Sequence, residues 1–228
     1  MPRPVLYSGP LSMFGAKAQI AALEKGLDFE LVMVPFEMRT LYQPKHPEVA
    51  HINPKQQVPV LVHGELEIFD STQIFEYFED LKPHPALWPQ DRVLRAQARL
   101  LELKSDEVFF PPVIRLMGLQ ATPEDTAAIA ARAAAADYYA QMDRIMRDGR
   151  EWLAGPFSFA DIAFFMAQIF ADRMGAPMPE EATALLRWRD RMGARPAVAT
   201  VAGVMGRYLL GQGRKLPGFL QEIVERTA

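Results

Sequence analysis

The sequence of residues 58–81, VPVLVHGELEIFDSTQIFEYFEDL, predicts a β-hairpin followed directly by an amphipathic helix. Two short apolar runs flank Gly64, where the chain can turn. Ser71 then stands where a helix begins, since serine is a preferred cap residue. Apolar residues follow it at helical spacing: Ile74, Phe75, Phe78 and Leu81. This stretch therefore predicts two antiparallel strands with a helix packed on them.

The residues before this stretch predict a strand-helix-strand unit. A short apolar run at 5–7 is typical of a strand, and a helical pattern covers 12–25 and ends at Gly26. A second β-rich run covers 29–34. A right-handed crossover followed by a hairpin gives the order β-α-β, loop, β-β-α around a small mixed sheet. We therefore expect an α/β domain over residues 1–82.

The rest of the chain is predicted to be helical. Residues 83–89 contain three prolines and are expected to form a stiff linker. Beyond them a helix is expected over 91–108, interrupted near Pro111-Pro112, and the alanine-rich residues 121–140 favour another. Further helices are expected to begin near Ser158 and Glu180. We therefore predict an all-helical domain over 90–228.

Composition excludes several classes of function. The 228 residues carry a formal net charge of −3, and neither part of the chain has the basic stripe typical of nucleic-acid binding. No apolar run approaches the roughly 20 residues of a membrane span, and the first residues lack the apolar core of a signal peptide. With no cysteine and no histidine motif for zinc, we expect no metal site. A cytoplasmic protein that binds neither nucleic acid nor membranes is expected.

Several segments match one family in the same order along the chain. They are Leu6-Tyr7, Ser12, Lys17 and residues 21–26, then 52–61 (INPKQQVPVL) with Asp70-Ser71, and finally Ser158-Phe-Ala-Asp161 and 188–198. Together they resemble the cytosolic glutathione S-transferase family, in particular its serine-type, theta-like or related bacterial members. The resemblance implies a thioredoxin-like domain that binds glutathione and a helical domain lining the electrophile site. It also implies a cytoplasmic detoxification enzyme that forms a homodimer, for which loop residues Met38, Leu41 and Tyr42 could supply the apolar contact.

Ser12 is the candidate catalytic residue. The glutathione thiol reacts as a thiolate, yet a free thiol with a pKa of about 8.5 is mostly protonated at pH 7. A hydroxyl donor at a helix N-terminus can stabilise the anion through a charge-assisted hydrogen bond and the helix dipole. Ser12 lies where the first strand gives way to the first helix, although it could serve only as a helix cap. Tyr7 is the alternative donor, as in family members that use a strand-end tyrosine.

The resemblance also implies the residues that hold glutathione. The family has a cis peptide before the proline that matches Pro59, which would present the main chain of Val58 to the cysteinyl backbone, with Gln57 adding an amide contact. Asp70 could pair with the γ-glutamyl ammonium and Ser71 with its carboxylate. Lys45 and Gln43, with His46 nearby, are the candidates for the glycine carboxylate.

The remaining candidates divide into pocket and scaffold. The expected lining of the electrophile pocket is Leu11, Met13, Phe14, Phe109, Phe110, Ile114, Met117 and Tyr208. Ser158 and Asp161, by contrast, have the S-x-x-D spacing of a capping box and are predicted to be structural.

Three functions are compatible with this set of residues. The first is conjugation of glutathione to small hydrophobic electrophiles. The second uses the same thiolate for ether cleavage, dehalogenation, peroxide reduction or isomerisation. The third is a non-catalytic binding protein with the same fold, since fold does not guarantee function.

Overall fold

The computed structural model describes residues 2–228. Its strands and helices, in chain order, are β1 (Val5–Ser8), α1 (Met13–Glu24), β2 (Glu30–Met33), α2 (Pro47–Ile52), β3 (Val60–His63), β4 (Leu66–Phe69), α3 (Ser71–Leu81), α4 (Arg92–Lys104), α5 (Phe110–Leu116), α6 (Thr126–Met146), α7 (Phe159–Arg173), α8 (Thr183–Ala194), α9 (Pro196–Gly211) and α10 (Gly218–Arg226). A mixed sheet with helices is thus followed by an all-helical region, which confirms the predicted fold class.

The chain divides into two compact units. The first contains the residues up to Ala86 together with 196–216 and 221–228, and the second contains 87–195 and 217–220. The sequence suggested that 90–228 would form one helical domain. Residues 196–216 instead belong to the first unit, because α9 packs against α1. The expected linker, 83–89, contains the point where the chain leaves the first unit.

The sheet of the first unit has the strand order β2-β1-β3-β4. Strand β1 pairs in parallel with β2 and antiparallel with β3, and β3 and β4 form the predicted hairpin. Successive side chains of a strand point to opposite faces. Leu6 accordingly packs with α1 and α3, whereas Tyr7 packs on the other face near Val49 of α2. Leu6 and Tyr7 are therefore neighbours in sequence that lie on opposite faces of the sheet.

Helix α1 begins and ends close to the predicted positions. Ser12 is its N-cap, and Gly26, which follows the C-cap Lys25, has φ of 58°, a conformation that glycine adopts readily. Helix α3 differs from the prediction by one residue. Its N-cap is Asp70, whose carboxylate accepts from two main-chain amides, so Ser71 is the first residue of the helix instead of its cap.

The second unit is built from α4 to α8 around an aromatic core. Phe109, Tyr138, Tyr139 and Phe164 have neighbouring rings 5.1–6.1 Å apart, and Trp188 stacks on Phe164. Large aromatic side chains of this kind dominate the energetics of a core. The core fixes α7, which is buried along most of its length.

The interruption after α4 lies earlier than predicted. Residues Ser105–Phe109 form a turn of π-helix, and Pro111 and Pro112 sit in the first turn of α5 instead of breaking a helix. Proline lacks the N–H that a helix interior requires, but the first turn of a helix does not use that N–H. The helical hydrogen bonds therefore widen to the π pattern at 105–109, immediately before the helix α5 that contains the two prolines.

Candidate functional site

Ser12 lies at the start of α1 with its hydroxyl in the cap position. Its Oγ accepts a hydrogen bond from the main-chain N–H of Gly15 at 3.0 Å, and its own N–H donates to Gly9 O at 3.1 Å. A serine hydroxyl can accept and donate at once, so the hydroxyl hydrogen is still available to an acceptor. The N-terminal end of a helix also favours negative charge nearby. This arrangement suits stabilisation of an anion next to Ser12.

The start of α1 is packed tightly against the end of β1. A Cβ added at Gly15 would overlap with Oγ of Ser8, so only glycine fits there. Ser8 is fully buried and its Oγ accepts from Nε2 of Gln19 at 2.7 Å. Sequence reasoning did not identify Ser8, Gly15 or Gln19. These three residues fix the position of the helix end that carries Ser12.

Tyr7 occupies a different environment. Its ring lies beside that of His46, with centroids 5.2 Å apart, on the sheet face that packs with α2. Burial, followed by the negative charges of Glu48 and Glu30, raises the pKa of Tyr7 above its ordinary value. The helix α1 packs on the opposite face of the sheet, with Leu6.

The segment before β3 contains the cis peptide that the family resemblance implies. The Val58–Pro59 peptide is cis. The side chain of Asn53 holds the preceding loop, donating to Gln57 O at 2.7 Å and accepting from Lys55 N at 2.9 Å. Asn53 is nearly buried and was not among the predicted residues. It shapes the turn that presents Gln57 and Val58.

The start of α3 combines a capping carboxylate with a buried hydroxyl. Asp70 Oδ1 accepts from Thr72 N at 3.0 Å and Gln73 N at 3.2 Å. Ser71 is 2% exposed, and within residues 2–228 its Oγ has no hydrogen-bond partner. A buried polar group without a partner is costly, so its presence points to a ligand. Its place in the first turn of α3 suits a carboxylate.

The loop from 36 to 46 carries the residues predicted for the glycine end. Gln43 is exposed, whereas Lys45 and His46 are half-buried. His46 precedes α2, and its Nδ1 is buried without a hydrogen-bond partner in the described part of the chain. The positive charge of Lys45 makes this loop suitable for an anionic group.

Backbone strain is concentrated in these three segments. In residues 2–228, the non-glycine residues with positive φ are Leu41, Gln56 and Asp70, at 56°, 52° and 76°. One lies in the loop 36–46, one before the cis peptide and one at the cap of α3. Such conformations cost roughly 1–3 kcal/mol each and cluster at functional sites. Their distribution supports a binding role for all three segments.

The residues predicted to line an electrophile pocket fall in both units. In the first unit, Met13 is buried in α1 and the hydroxyl of Tyr208 donates to Phe36 O at 2.8 Å. Leu11 and Phe14, on either side of Ser12 and Met13, are half-buried.

The members in the second unit differ widely in exposure. Ile114 and Met117 are 37% and 47% exposed, while Phe110 is half-buried against Phe170. Phe109 is only 1% exposed and packs inside the aromatic core. A side chain at that depth is part of the aromatic core of the second unit and is not available to line a pocket.

Comparison with known proteins decides the family. Residues 6–86 match the model of the glutathione S-transferase N-terminal domain, and residues 106–196 match that of the C-terminal domain. The two models cover most of the chain in the family's order. The chain belongs to the glutathione S-transferase family.

The curated relatives of this family member have diverse names. A stringent starvation protein A homologue of Coxiella burnetii is 33% identical over 107 residues, which are 46% of this chain and 47% of the relative. Glutathione S-transferase 1 of Dianthus caryophyllus is 43% identical over 40% of each chain. Maleylacetoacetate isomerase of Rattus norvegicus is 36% identical over 43% of this chain and 45% of its own. The matched segments thus span less than half of each relative.

Solved structures of family members cover more of the chain. A glutathione S-transferase from Rhodospirillum rubrum F11 matches with a TM-score of 0.74 and 27% identity, over 87% of this chain and 91% of that one. A theta class glutathione S-transferase from Xanthomonas axonopodis pv. citri, with glutathione bound, matches with a TM-score of 0.72 and 24% identity, over 88% and 97%. The fold of this chain is therefore that of the family over both units.

Two further observations concern the described residues alone. Among residues 2–228, no helix is both long enough and apolar enough to cross a membrane. The same residues contain no group of three or more histidine or acidic side chains that could hold a metal ion.

Proposed function

We propose that this family member is a glutathione transferase in which Ser12 stabilises the thiolate of bound glutathione. The observation that carries the proposal is the cap geometry of Ser12. Its Oγ accepts from Gly15 N–H, which fixes the oxygen and leaves the hydroxyl hydrogen to donate to sulfur. The substrates would be glutathione and a small hydrophobic electrophile.

The energy required is within reach of this arrangement. Lowering a thiol pKa by two units needs about 2.7 kcal/mol of selective stabilisation of the thiolate. A charge-assisted hydrogen bond contributes roughly 1.5–3 kcal/mol, and a helix N-terminus adds about 0.3–1 kcal/mol. Ser12 is favoured over Tyr7, because Tyr7 packs on the sheet face opposite α1 and next to two acidic residues.

Three other segments are proposed to hold the rest of glutathione. The amide and carbonyl of Val58 would pair with the cysteinyl backbone. The γ-glutamyl carboxylate would bind the hydroxyl of Ser71, and its ammonium would bind Asp70. Lys45 would pair with the glycine carboxylate, assisted by Gln43. Pro59 and Gln57 complete the wall beside Val58.

The central test is replacement of Ser12. We expect Ser12→Ala to lower kcat with an aryl halide about 10- to 100-fold, and to raise the pKa of the bound thiol, with little change in the Kd for glutathione. Ser12→Thr keeps the hydroxyl and should recover part of the activity. Tyr7→Phe is the matched control. A large loss in Tyr7→Phe together with full activity in Ser12→Ala would contradict the assignment.

Relatives with other names support two alternatives. The maleylacetoacetate isomerase relative favours glutathione-dependent isomerisation at the same site, because that chemistry would use the same thiolate. A panel of electrophiles, halides, peroxides and isomerisable substrates separates the reactions. The stringent starvation protein relative, whose name states no reaction, is our reason to keep a non-catalytic binding role as the second alternative. Binding of glutathione without turnover of any member of the panel would support that second alternative.

We also propose that the chain forms a two-fold homodimer through the exposed face of α4. Ala98 and Glu102 face the core, yet the opposite side of the helix is also apolar. That side has Val93, Leu100 and Leu103, which are 57%, 50% and 53% exposed. Exposed apolar stripes of this kind mark interaction surfaces.

The charges along α4 favour a second copy as the partner. Arg92 and Arg95 lie in the first half of the helix, and Glu107 follows its end. Antiparallel packing of two copies about Leu100 would bring Arg92 of each copy near Glu107 of the other. A two-fold axis makes every such contact twice. This surface replaces Met38, Leu41 and Tyr42 as our proposal for the apolar contact.

A further inference from the structure

Tyr208 of α9 contacts a loop that is distant in sequence. Its hydroxyl donates a hydrogen bond to the main-chain O of Phe36 at 2.8 Å, across 172 residues of chain. Phe36 begins the loop 36–46, whose far end carries Gln43, Lys45 and His46. Both residues belong to the first unit. A side chain of α9 therefore holds the main chain of a proposed glutathione-binding loop.

Aromatic contacts extend this attachment along the loop. The ring of Phe36 lies between those of Tyr208 and Tyr42, with centroids 6.1 Å and 4.7 Å away, and both contacts are edge-on. Glu37 and Leu41 close the intervening turn with two main-chain hydrogen bonds. We call Tyr208, Phe36 and Tyr42 the aromatic cluster.

Tyr42, at the far end of the aromatic cluster, contacts the turn that precedes Ser12. A Cβ added at Gly9 would overlap with the phenol of Tyr42, so the ring lies directly against the main chain there. Gly9 O in turn accepts the N–H of Ser12. The loop 36–46 and the Gly9–Ser12 turn are thus joined through packed side chains.

We infer that Tyr208 is a positioning residue for glutathione, which keeps the loop 36–46 against the Gly9–Ser12 turn so that Lys45 meets the glycine carboxylate. The inference rests on the proposed function and assigns Tyr208 a role beyond that of pocket wall. The hydroxyl of Tyr208 is engaged with Phe36 O, so its effect on glutathione is exerted through the loop. Removing the hydroxyl should loosen the loop and leave Ser12 on α1 in place.

Tyr208→Phe tests this with the loss of one oxygen atom. We expect the Kd for glutathione, measured by calorimetry, to rise about five- to tenfold, and the pKa of the bound thiol to stay unchanged. For γ-glutamylcysteine, which lacks the glycine, the wild type and Tyr208→Phe should bind equally. Tyr77→Phe is the matched control, since its hydroxyl contacts His63 Nδ1 at 2.6 Å elsewhere in the unit.

Hydrogen exchange gives a readout that does not depend on glutathione. In the absence of ligand, the amides of residues 36–46 should exchange faster in Tyr208→Phe than in the wild type or in Tyr77→Phe. Unchanged exchange in this loop overturns the inference, as does an equal loss of affinity for glutathione and γ-glutamylcysteine. If the wild type binds no glutathione, the proposed function fails, and the exchange rates alone decide whether Tyr208 holds the loop.

Discussion

The carboxylate of Asp161 accepts a hydrogen bond from the indole Nε1 of Trp188 at 2.9 Å, which ties the start of α7 to the middle of α8. Asp161 has no exposed surface and also accepts from Leu153 N and from both the N–H and the hydroxyl of Ser158. The capping box predicted from the sequence is thus one part of a larger buried network. All of its four donors converge on one carboxylate.

Asp161→Asn should destabilise the protein by about 2–4 kcal/mol, because the new amide group would face buried donors that it cannot satisfy. Urea unfolding measures the change. Asp125→Asn is the control, since Asp125 is an exposed N-cap of α6 and asparagine caps as well as aspartate. Equal stability of the two variants would show that the network contributes nothing beyond a cap.

The pH dependence of this network has an unusual sign. Burial raises the pKa of Asp161 to about 6, against the effect of its four donors. The ordinary value is 3.8, so the folded protein binds an extra proton between about pH 4 and 6 and gains stability as the pH falls. The stability difference between the wild type and Asp161→Asn should therefore widen by roughly 2–3 kcal/mol from pH 7 to pH 4. If the stability difference narrows instead, the four hydrogen-bond donors lower the pKa of Asp161 more than burial raises it.

Lys25 and Glu79 form a buried ion pair in the first unit. Lys25 Nζ has no exposed surface and lies 2.7 Å from Glu79 Oε1 and 3.0 Å from Pro85 O. Lys25→Met should cost about 1–3 kcal/mol, since it removes a buried ammonium together with its hydrogen bonds to Glu79 and Pro85 O. Adding Glu79→Gln should recover more than about 1 kcal/mol in a double-mutant cycle.

Arg3→Met is the control for that cycle. Arg3 pairs with Asp28 at 2.9 Å, but both side chains are largely exposed, so we expect a loss below about 1 kcal/mol. Strict additivity of Lys25→Met and Glu79→Gln would contradict the buried pairing.

Ser71→Ala should separate binding from stability. Because Ser71 Oγ is buried without a partner in the described chain, its removal should not lower the free energy of unfolding and should raise it by up to about 1–3 kcal/mol. The Kd for glutathione should rise about 10- to 100-fold through loss of a hydrogen bond to a carboxylate. Asp70→Ala is the comparison, since it removes a cap and should lower stability as well. A stability loss in Ser71→Ala with unchanged affinity would assign Ser71 to the scaffold.

Leu100→Asp should convert the proposed dimer to a monomer, because it places a charge at the centre of the apolar stripe on α4. Sedimentation or light scattering measures the mass. Ile129→Asp on α6 is the matched control, since Ile129 is similarly exposed at 48%. A wild type that is monomeric at micromolar concentration, or a Leu100→Asp variant that still dimerises, would refute this interface.

Local patterns predicted the elements that depend on local contacts. The hairpin at Gly64, the helix over α1 and the capping box each follow from neighbouring residues, and the structure contains all three. The cap of α3 was placed one residue late, because Asp70 and Ser71 are equally good caps by composition. Which of the two residues caps the helix and which keeps a free hydroxyl depends on the backbone angles, and the residue types do not determine those angles.

Contacts between distant segments could not be predicted in this way. Nothing in residues 196–216 indicates that α9 packs with α1. An apolar stripe shows which face of a helix is buried, but not which element covers it. The hydrogen bond from Tyr208 to Phe36 and the approach of Gly15 to Ser8 likewise depend on tertiary packing. The π-turn at Ser105–Phe109 arises from the same kind of context, where two prolines must start a new helix.

The return of α9 to the first unit has a consequence for how the molecule can be dissected. The polypeptide leaves that unit at 86/87, re-enters it at 195/196 and crosses to the second unit once more at 217–220, so no single cleavage liberates the first unit intact. A nick near either junction would leave α1 reliant on a helix supplied by the other fragment. Gene fusions or exchanges with relatives should accordingly replace residues 1–86 together with 196–228, a pair of segments that also carries four residues of the second unit, 217–220.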